Sequence, residues 1–149
     1  MSLKDRLTDD MKTALRMGDK IRLSTIRLLR AQIKDREIEQ GNALSDEDVL
    51  EVLIRAAKMR REAIDSYRKA GRADLLSKEE AELEIIQSYM PEPLSRDELL
   101  ALIDGVIQET GAQNLGDMGS VMGKMMPMVR GRAEGKVVSQ AVRERLMKE

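Results

Sequence analysis

From one end of the chain to the other, apolar residues return every three or four positions, and each run is cut by glycine or proline. With only two Tyr and no Phe or Trp in 149 residues, the core must be filled by Leu, Ile, Val, Ala and Met. Branched and flexible aliphatic side chains without aromatic bulk suit packed helices better than a sheet. No alternating strand pattern, long repeat or low-complexity segment appears, so the expected fold is all-α.

Leu3, Leu7, Met11, Ala14 and Leu15 form the first stripe, with Gly18 where a helix C-terminal glycine belongs. The second helix is predicted over 20–39, closed by Gly41-Asn42. At steps of about 100° per residue, Lys20, Arg27, Arg30 and Lys34 share one arc, opposite an apolar arc of Ile21, Ile26, Leu28, Leu29 and Ile33. Ser45-Asp46-Glu47-Asp48 caps a third helix that should reach Ala70, burying Val49, Leu53, Ala56, Ala57, Ile64 and Tyr67. Ser77-Lys78-Glu79-Glu80 has the form of a capping box and is expected to open the fourth, through Ala81, Leu83, Ile85, Ile86 and Tyr89.

Pro91-Glu92-Pro93 must break the helix, because proline removes a backbone donor and pushes its predecessor out of helical geometry. The expected organisation is an N-terminal domain of about four helices over 1–90, a linker at 91–94, and a C-terminal three-helix tail domain over 95–149. Ser95-Arg96-Asp97-Glu98 caps the first tail helix, which carries Leu99, Ile103, Val106 and Ile107 to Gly111. Met118, Val121, Met122, Met125 and Val129 mark the second, where Pro127 should kink or end regular bonding, and Val137, Val138, Ala141, Val142 and Leu146 mark the third.

The formal net charge of −1 conceals segregation along the chain. Residues 20–36 hold six Lys and Arg against Asp35 alone, whereas residues 74–109 hold ten acids against Lys78 and Arg96. Separate basic and acidic surfaces are therefore expected. Cysteine and histidine are absent, which removes disulfides, thiolate chemistry, the commonest metal ligands and the usual general base at neutral pH. No phosphate loop, nucleophile elbow or metal-ligand cluster is present, so no catalytic residue, cofactor or metal is expected. With no apolar run of transmembrane length and no leader pattern, the expectation is a cytoplasmic protein without a membrane association.

Between the last two helices lies Arg130-Gly131-Arg132-Ala133-Glu134-Gly135-Lys136, too glycine-rich to continue a helix and carrying three cations. A turn that offers backbone N–H groups beside Arg and Lys, at a helix N-terminus, suits a phosphate. Lys124, Arg130, Gly131, Arg132 and Lys136 form the first candidate nucleic-acid site: the guanidinium forks suit phosphate oxygens and Gly131 permits close backbone approach. The plainer reading is a solvated interhelical turn. The second candidate is the basic face of Lys20, Arg27, Arg30 and Lys34, with Lys58, Arg61, Arg68 and Arg72 as further contributors; such a stripe can serve folded RNA or be merely the wet side of an amphipathic helix. Base stacking is not expected, since Tyr67 and Tyr89 both sit in apolar register. Five of the eleven methionines fall between 118 and 128. They suit an adaptable partner surface, together with Gly116, Gly119 and Gly123, although core filling is the simpler use.

The segment built on Met122-Gly123, Met126-Pro127, Arg130-Gly131-Arg132-Ala133, Gly135-Lys136 and Val138-Ser139 resembles the tail domain shared by the GatB subunit of the tRNA-dependent Asp/Glu amidotransferase and the stand-alone YqeY-like proteins. A second run, from Arg60-Arg61-Glu62-Ala63-Ile64 through Lys69-Ala70-Gly71-Arg72 to Tyr89-Met90-Pro91, resembles the stand-alone branch, so the GatB/YqeY resemblance spans nearly the whole chain. It implies contact with tRNA through the tail turn, and amidotransferase subunits or an aminoacyl-tRNA synthetase as protein partners. The family-level activity it implies is that of a carbon–nitrogen ligase with glutamine as amide donor, but the resemblance covers only the accessory tail of that enzyme. Where the enzyme's tail usually has Asn-Pro at the start of its last helix, this chain has Glu134-Gly135, which places a negative charge at the proposed phosphate site. The resulting expectation is a non-catalytic, tRNA-associated protein, an accessory of tRNA-dependent amidotransfer; the alternative is a protein-interaction module using Met118, Met122, Met125 and the glycine face.

Overall fold

The computed structural model describes residues 1–147, and within them the chain is all-α, with no strand. Seven helices follow one another: α1 (Leu3–Met17), α2 (Lys20–Gln40), α3 (Asp46–Lys69), α4 (Ala73–Gln87), α5 (Arg96–Thr110), α6 (Met118–Val129) and α7 (Gly135–Met147), with a single 3₁₀ turn at Leu115–Asp117. None is long and apolar enough to cross a membrane. The chain divides into two compact units, Met1–Met90 and Pro91–Glu149.

Local chemistry accounts for most helix ends. Ser2, Asp19 and Ser45 each accept the backbone N–H three residues on, satisfying a donor that no helical carbonyl can reach. Ser95 and Glu98 complete a reciprocal capping box. At the α1–α2 corner Gly18 takes φ 71°, a left-handed conformation that L side chains rarely adopt.

The start of α4 departs from expectation. The helix begins at Ala73 behind Arg72, with no side-chain cap, and Ser77 lies inside it with its hydroxyl on the Ala73 carbonyl at 3.3 Å. The reversal at Gly71 (φ 68°) and the Arg72 guanidinium, which grips Asp74 through two bonds of 3.1 and 3.2 Å, start the helix four residues before the Ser-x-x-Glu pattern. That bond is also the first cause of the lowered pKa of Asp74. In α6 the helix runs through Pro127 to Val129. The proline sits in the last turn on the exposed side, where the missing N–H leaves a carbonyl that water can reach.

In the first unit, Leu7 of α1, Ile26, Leu29 and Ile33 of α2, Val49, Val52, Leu53, Ala56 and Ala57 of α3, and Ile85, Ile86 and Tyr89 at the end of α4 pack into one core with Leu44. Ile21 and Leu28 do not join it; they are 45% and 44% exposed, correcting the single apolar arc expected for α2. Polar ties fix the perimeter. Arg60 bridges α3 to Glu82 at 2.8 Å and Glu79 at 3.6 Å on α4. The buried Tyr89 hydroxyl donates to Asp10 on α1, and the Arg6 guanidinium lies 5.2 Å from the centre of its ring. Burial, then the Asp10 carboxylate, pushes the phenol well above its ordinary range.

The second unit has its own core of Leu99, Ile103 and Val106 from α5, Val121, Met125 and Val129 from α6, and Val138, Ala141, Val142 and Leu146 from α7. Arg145 of α7 chelates Asp104 of α5 at 2.8 and 2.9 Å, which raises its own pKa.

Glu37 closes α2 onto its surroundings: Lys4 donates to its carboxylate at 2.5 Å and the Leu44 N–H at 2.9 Å. The Lys4 bond, followed by the Leu44 N–H, holds the carboxyl below its ordinary value against the effect of burial. A depressed folded-state pKa contributes stability that is complete above the unfolded value of about 4.3 and is lost as pH falls through the folded value. Glu37→Gln is therefore expected to lower the urea midpoint at pH 7 and to show a shallower acid decline than the parent below about pH 4.3. Urea melts from pH 7 to pH 3 check this, and parallel declines would contradict it.

Candidate nucleic-acid interface

The turn between α6 and α7 folds inward. Arg130 continues from Val129 in an extended conformation and Gly131 reverses the chain at φ 76°. The N–H groups of Arg132 and Ala133 then return to the Val129 carbonyl at 2.8 and 3.1 Å. Arg130, Gly131, Arg132 and Ala133 are all half-buried, and Ala133 packs on the core. The Glu134 carbonyl accepts the Val138 N–H at 3.0 Å, so glutamate occupies the capping position of α7.

Arg132 holds the proline segment in place. Its Nε donates to the Glu92 carbonyl at 2.9 Å, and its own carbonyl accepts the Leu94 N–H at 2.9 Å. Residues 91–94 are thus fastened to the turn of their own unit at two points. The Arg132 charge also contributes to lowering the Glu98 pKa, after the larger effects of the Ser95 N–H and hydroxyl. Lys124 is drawn to α5 by Glu109 at 2.5 Å, whereas Lys136 is exposed at the start of α7. The five tail residues named from sequence are therefore split between a structural fastening, an interhelical ion pair and one projecting amine.

The methionine side of α6 is core: Met125 is fully buried, and Met118 and Met122 pack against it. Of the two uses read from the sequence, core filling is the one these three residues serve. The exposed thioethers are Met126 and Met128. A Cβ placed at Gly119 or Gly123 would meet no atom within 4 Å, so both glycines face open space.

On α2 the cations separate differently. Arg30 is half-buried, its guanidinium 3.0 Å from the Met11 sulfur of α1. Lys20, Arg27 and Lys34 are exposed, and none is ion-paired among the described residues. Seven-residue spacing places them in one column, about 10 Å apart and roughly 21 Å overall. Of the other contributors, Lys58 is exposed and Arg61 half-buried, while Arg68 and Arg72 are engaged with Glu80 and Asp74.

Sequence reading overlooked a groove between α2 and α3, lined by Asp35 and Glu39 on one side and Val52, Arg55, Ala56 and Met59 on the other. Ile21 and Leu28 lie about 110° and 130° from the centre of the Ile26, Leu29 and Ile33 arc, too far round to share its core, which marks a second apolar strip on α2.

The profile of the family described as Yqey-like protein matches residues 4–146. "Altered inheritance of mitochondria protein 41, mitochondrial" of Pyrenophora tritici-repentis is 30% identical over 144 residues, covering 93% of this chain and 78% of the relative. The protein of the same name in Eremothecium gossypii is 38% identical over 106 residues, covering 69% and 58%. A glutamyl-tRNA(Gln) amidotransferase subunit of Thermococcus gammatolerans is 42% identical over 57 residues, which is 36% of this chain and 9% of that relative.

Arg132→Ala should remove one of the two fastenings and cost about 0.5–1.5 kcal/mol. Lys136→Ala, at an exposed position, should stay within about 0.5 kcal/mol of the parent. Urea melts measure both, and faster amide exchange at Leu94 in the Arg132 variant alone would locate the effect.

Proposed function

Because the chain belongs to the YqeY-like protein family over residues 4–146, we propose that it acts as a non-catalytic, tRNA-associated protein, an accessory of tRNA-dependent amidotransfer. The observation that carries the proposal is the column of Lys20, Arg27 and Lys34 on α2, exposed and not ion-paired among the described residues. Cations held in close intramolecular pairs must give up a partner before they meet phosphate, whereas Lys20 and Arg27 need only release counterions and Lys34 has only a longer-range attraction to Glu37 to overcome. Their linear spacing suits a folded RNA read through its backbone, without the aromatic platforms that single-strand recognition uses. The relative whose name includes an amidotransferase acting on glutamyl-tRNA(Gln) supplies the RNA class. Lys136, projecting at the start of α7, is a secondary contact in this reading. Arg132 ranks behind these in this reading, because its Nε is held by the Glu92 carbonyl and only its Nη groups remain to meet phosphate.

Fluorescence anisotropy with purified bulk tRNA at several salt concentrations tests the proposal, beside an RNA duplex of equal length. The parent should prefer tRNA and lose affinity as salt rises. Lys20→Glu/Arg27→Glu/Lys34→Glu should bind more weakly, with a slope of log K against log salt that is smaller by about 0.9 for each phosphate contact removed. A variant that keeps a cooperative melt and binds tRNA as tightly as the parent would sink the α2 interface. Equal affinity for duplex and tRNA would sink the tRNA preference.

A further inference from the structure

The groove between α2 and α3 lies on a different side of α2 from the cation column. At about 100° per residue, Ile21, Leu28, Asp35 and Glu39 fall within roughly 40° of one another, and their arc is centred nearly 100° from that of Lys20, Arg27 and Lys34. The groove has a volume of about 260 Å³ and a floor of Val52, Ala56 and the thioether of Met59, which is 53% exposed. The exposed Ile21 and Leu28 lie on the same side of the α2 wheel, N-terminal to the residues that line the groove.

Apart from the Arg36–Glu51 pair, which joins α2 to α3, the two edges carry opposite charge. Asp35 and Glu39 stand on the α2 edge and Arg55 on the α3 edge, and no ion pair within 4 Å joins them across the gap or engages them elsewhere among the described residues. Arg36, between them, is held by Glu51 at 3.6 Å. A trough with an apolar floor, walled by Gln32, Asp35 and Glu39 on the α2 side and by Arg55 on the α3 side, is poorly matched to a polyanion, since the two carboxylates would repel phosphate. It is matched to an amphipathic helix that has aliphatic residues along one ridge, a Lys or Arg on the flank above α2, and a Glu or Asp on the flank above α3.

We propose that the α2–α3 groove is the docking site for such a helix of a partner protein, with Met59 as its main apolar contact inside the groove, Leu28 as a further one beyond the lining residues of α2, and Asp35, Glu39 and Arg55 setting the orientation. This goes beyond the tRNA reading and does not depend on it: a helix in the groove leaves the column of Lys20, Arg27 and Lys34 open.

The test uses the full chain, isotopically labelled, and synthetic helical peptides of about 18 residues, or five turns. One peptide carries a Leu ridge with Lys along one flank and Glu along the other. The controls share the ridge but carry Lys on both flanks or Glu on both. The mixed peptide should perturb amide resonances of α2 and α3 that line the groove and should bind more tightly than either control. Leu28→Glu and Met59→Glu, both at exposed positions, should keep the parent's melt and weaken that peptide by about tenfold or more, as loss of a buried aliphatic contact implies. The proposal is overturned if the controls bind equally well, if the perturbed amides lie on other faces, if neither variant weakens binding, or if no binding is seen up to about 1 mM, which corresponds to about 4 kcal/mol. Competition of bulk tRNA for the bound peptide in the parent, persisting in the variant that lacks the α2 cations, would place nucleic acid in the groove and also overturn it.

Discussion

Burial of branched aliphatic side chains between helices holds each unit together, because two tyrosines are all the aromatic bulk the chain has. Leucine, isoleucine and valine fill space only when neighbouring helices approach closely and in register, so helix spacing is dictated by interdigitation. Each unit closes its own core, with four helices in the first and three in the second. The perimeter is then fixed by polar ties of short reach: Arg60 between Glu79 and Glu82, Tyr89 on Asp10, and Arg145 on Asp104. Such ties add modestly to stability when exposed and join helix faces that the aliphatic core has already brought together.

Those same ties sort the cations into two populations. Arg60, Arg132 and Arg145 are spent on internal partners, and Lys124 is drawn to Glu109. Lys20, Arg27 and Lys34 are left facing water on a helix whose opposite side is packed. The functional reading follows from this sorting rather than from the total charge, which is nearly zero. In the second unit the turn that most resembles a phosphate cradle also serves as a fastening: Gly131 reverses the backbone and Arg132 bonds to Glu92 and Leu94.

The two sides of α2 show how one helix can present separate chemistries. A column of cations runs along one side, and a strip of Ile21 and Leu28 leads to a groove on another. Such a helix has little contrast between a polar and an apolar half, since aliphatic residues occur on both its packed and its open faces. Single exposed aliphatics are ordinary on a protein surface, and what distinguishes this side of α2 is the set of charges, Asp35, Glu39 and Arg55, that stand beside the groove unpaired among the described residues.

All-helical architecture, most helix bounds and nearly all core residues were legible in the residue pattern, because glycine, proline and capping residues act on their own neighbours. Ser95 with Glu98 caps α5, and Gly18, Gly41 and Gly111 end their helices, through bonds a few residues in span. The start of α4 was not legible, because Ser77 and Glu80 form a plausible box that the Gly71 turn and the Arg72–Asp74 pair pre-empt. The candidate site was legible only as a set of residue types. Sequence alone determined that cations recur along α2 and crowd the 130–136 turn. Only the tertiary structure decided that Arg30 lies against Met11, that Arg132 is committed to residues 92 and 94, and that Ile21 and Leu28 remain outside the core. The physical reason is one of range: a helix cap is settled by partners three or four residues away, whereas the availability of a charge or a methyl group depends on partners 19 to 40 positions distant that only packing brings within reach.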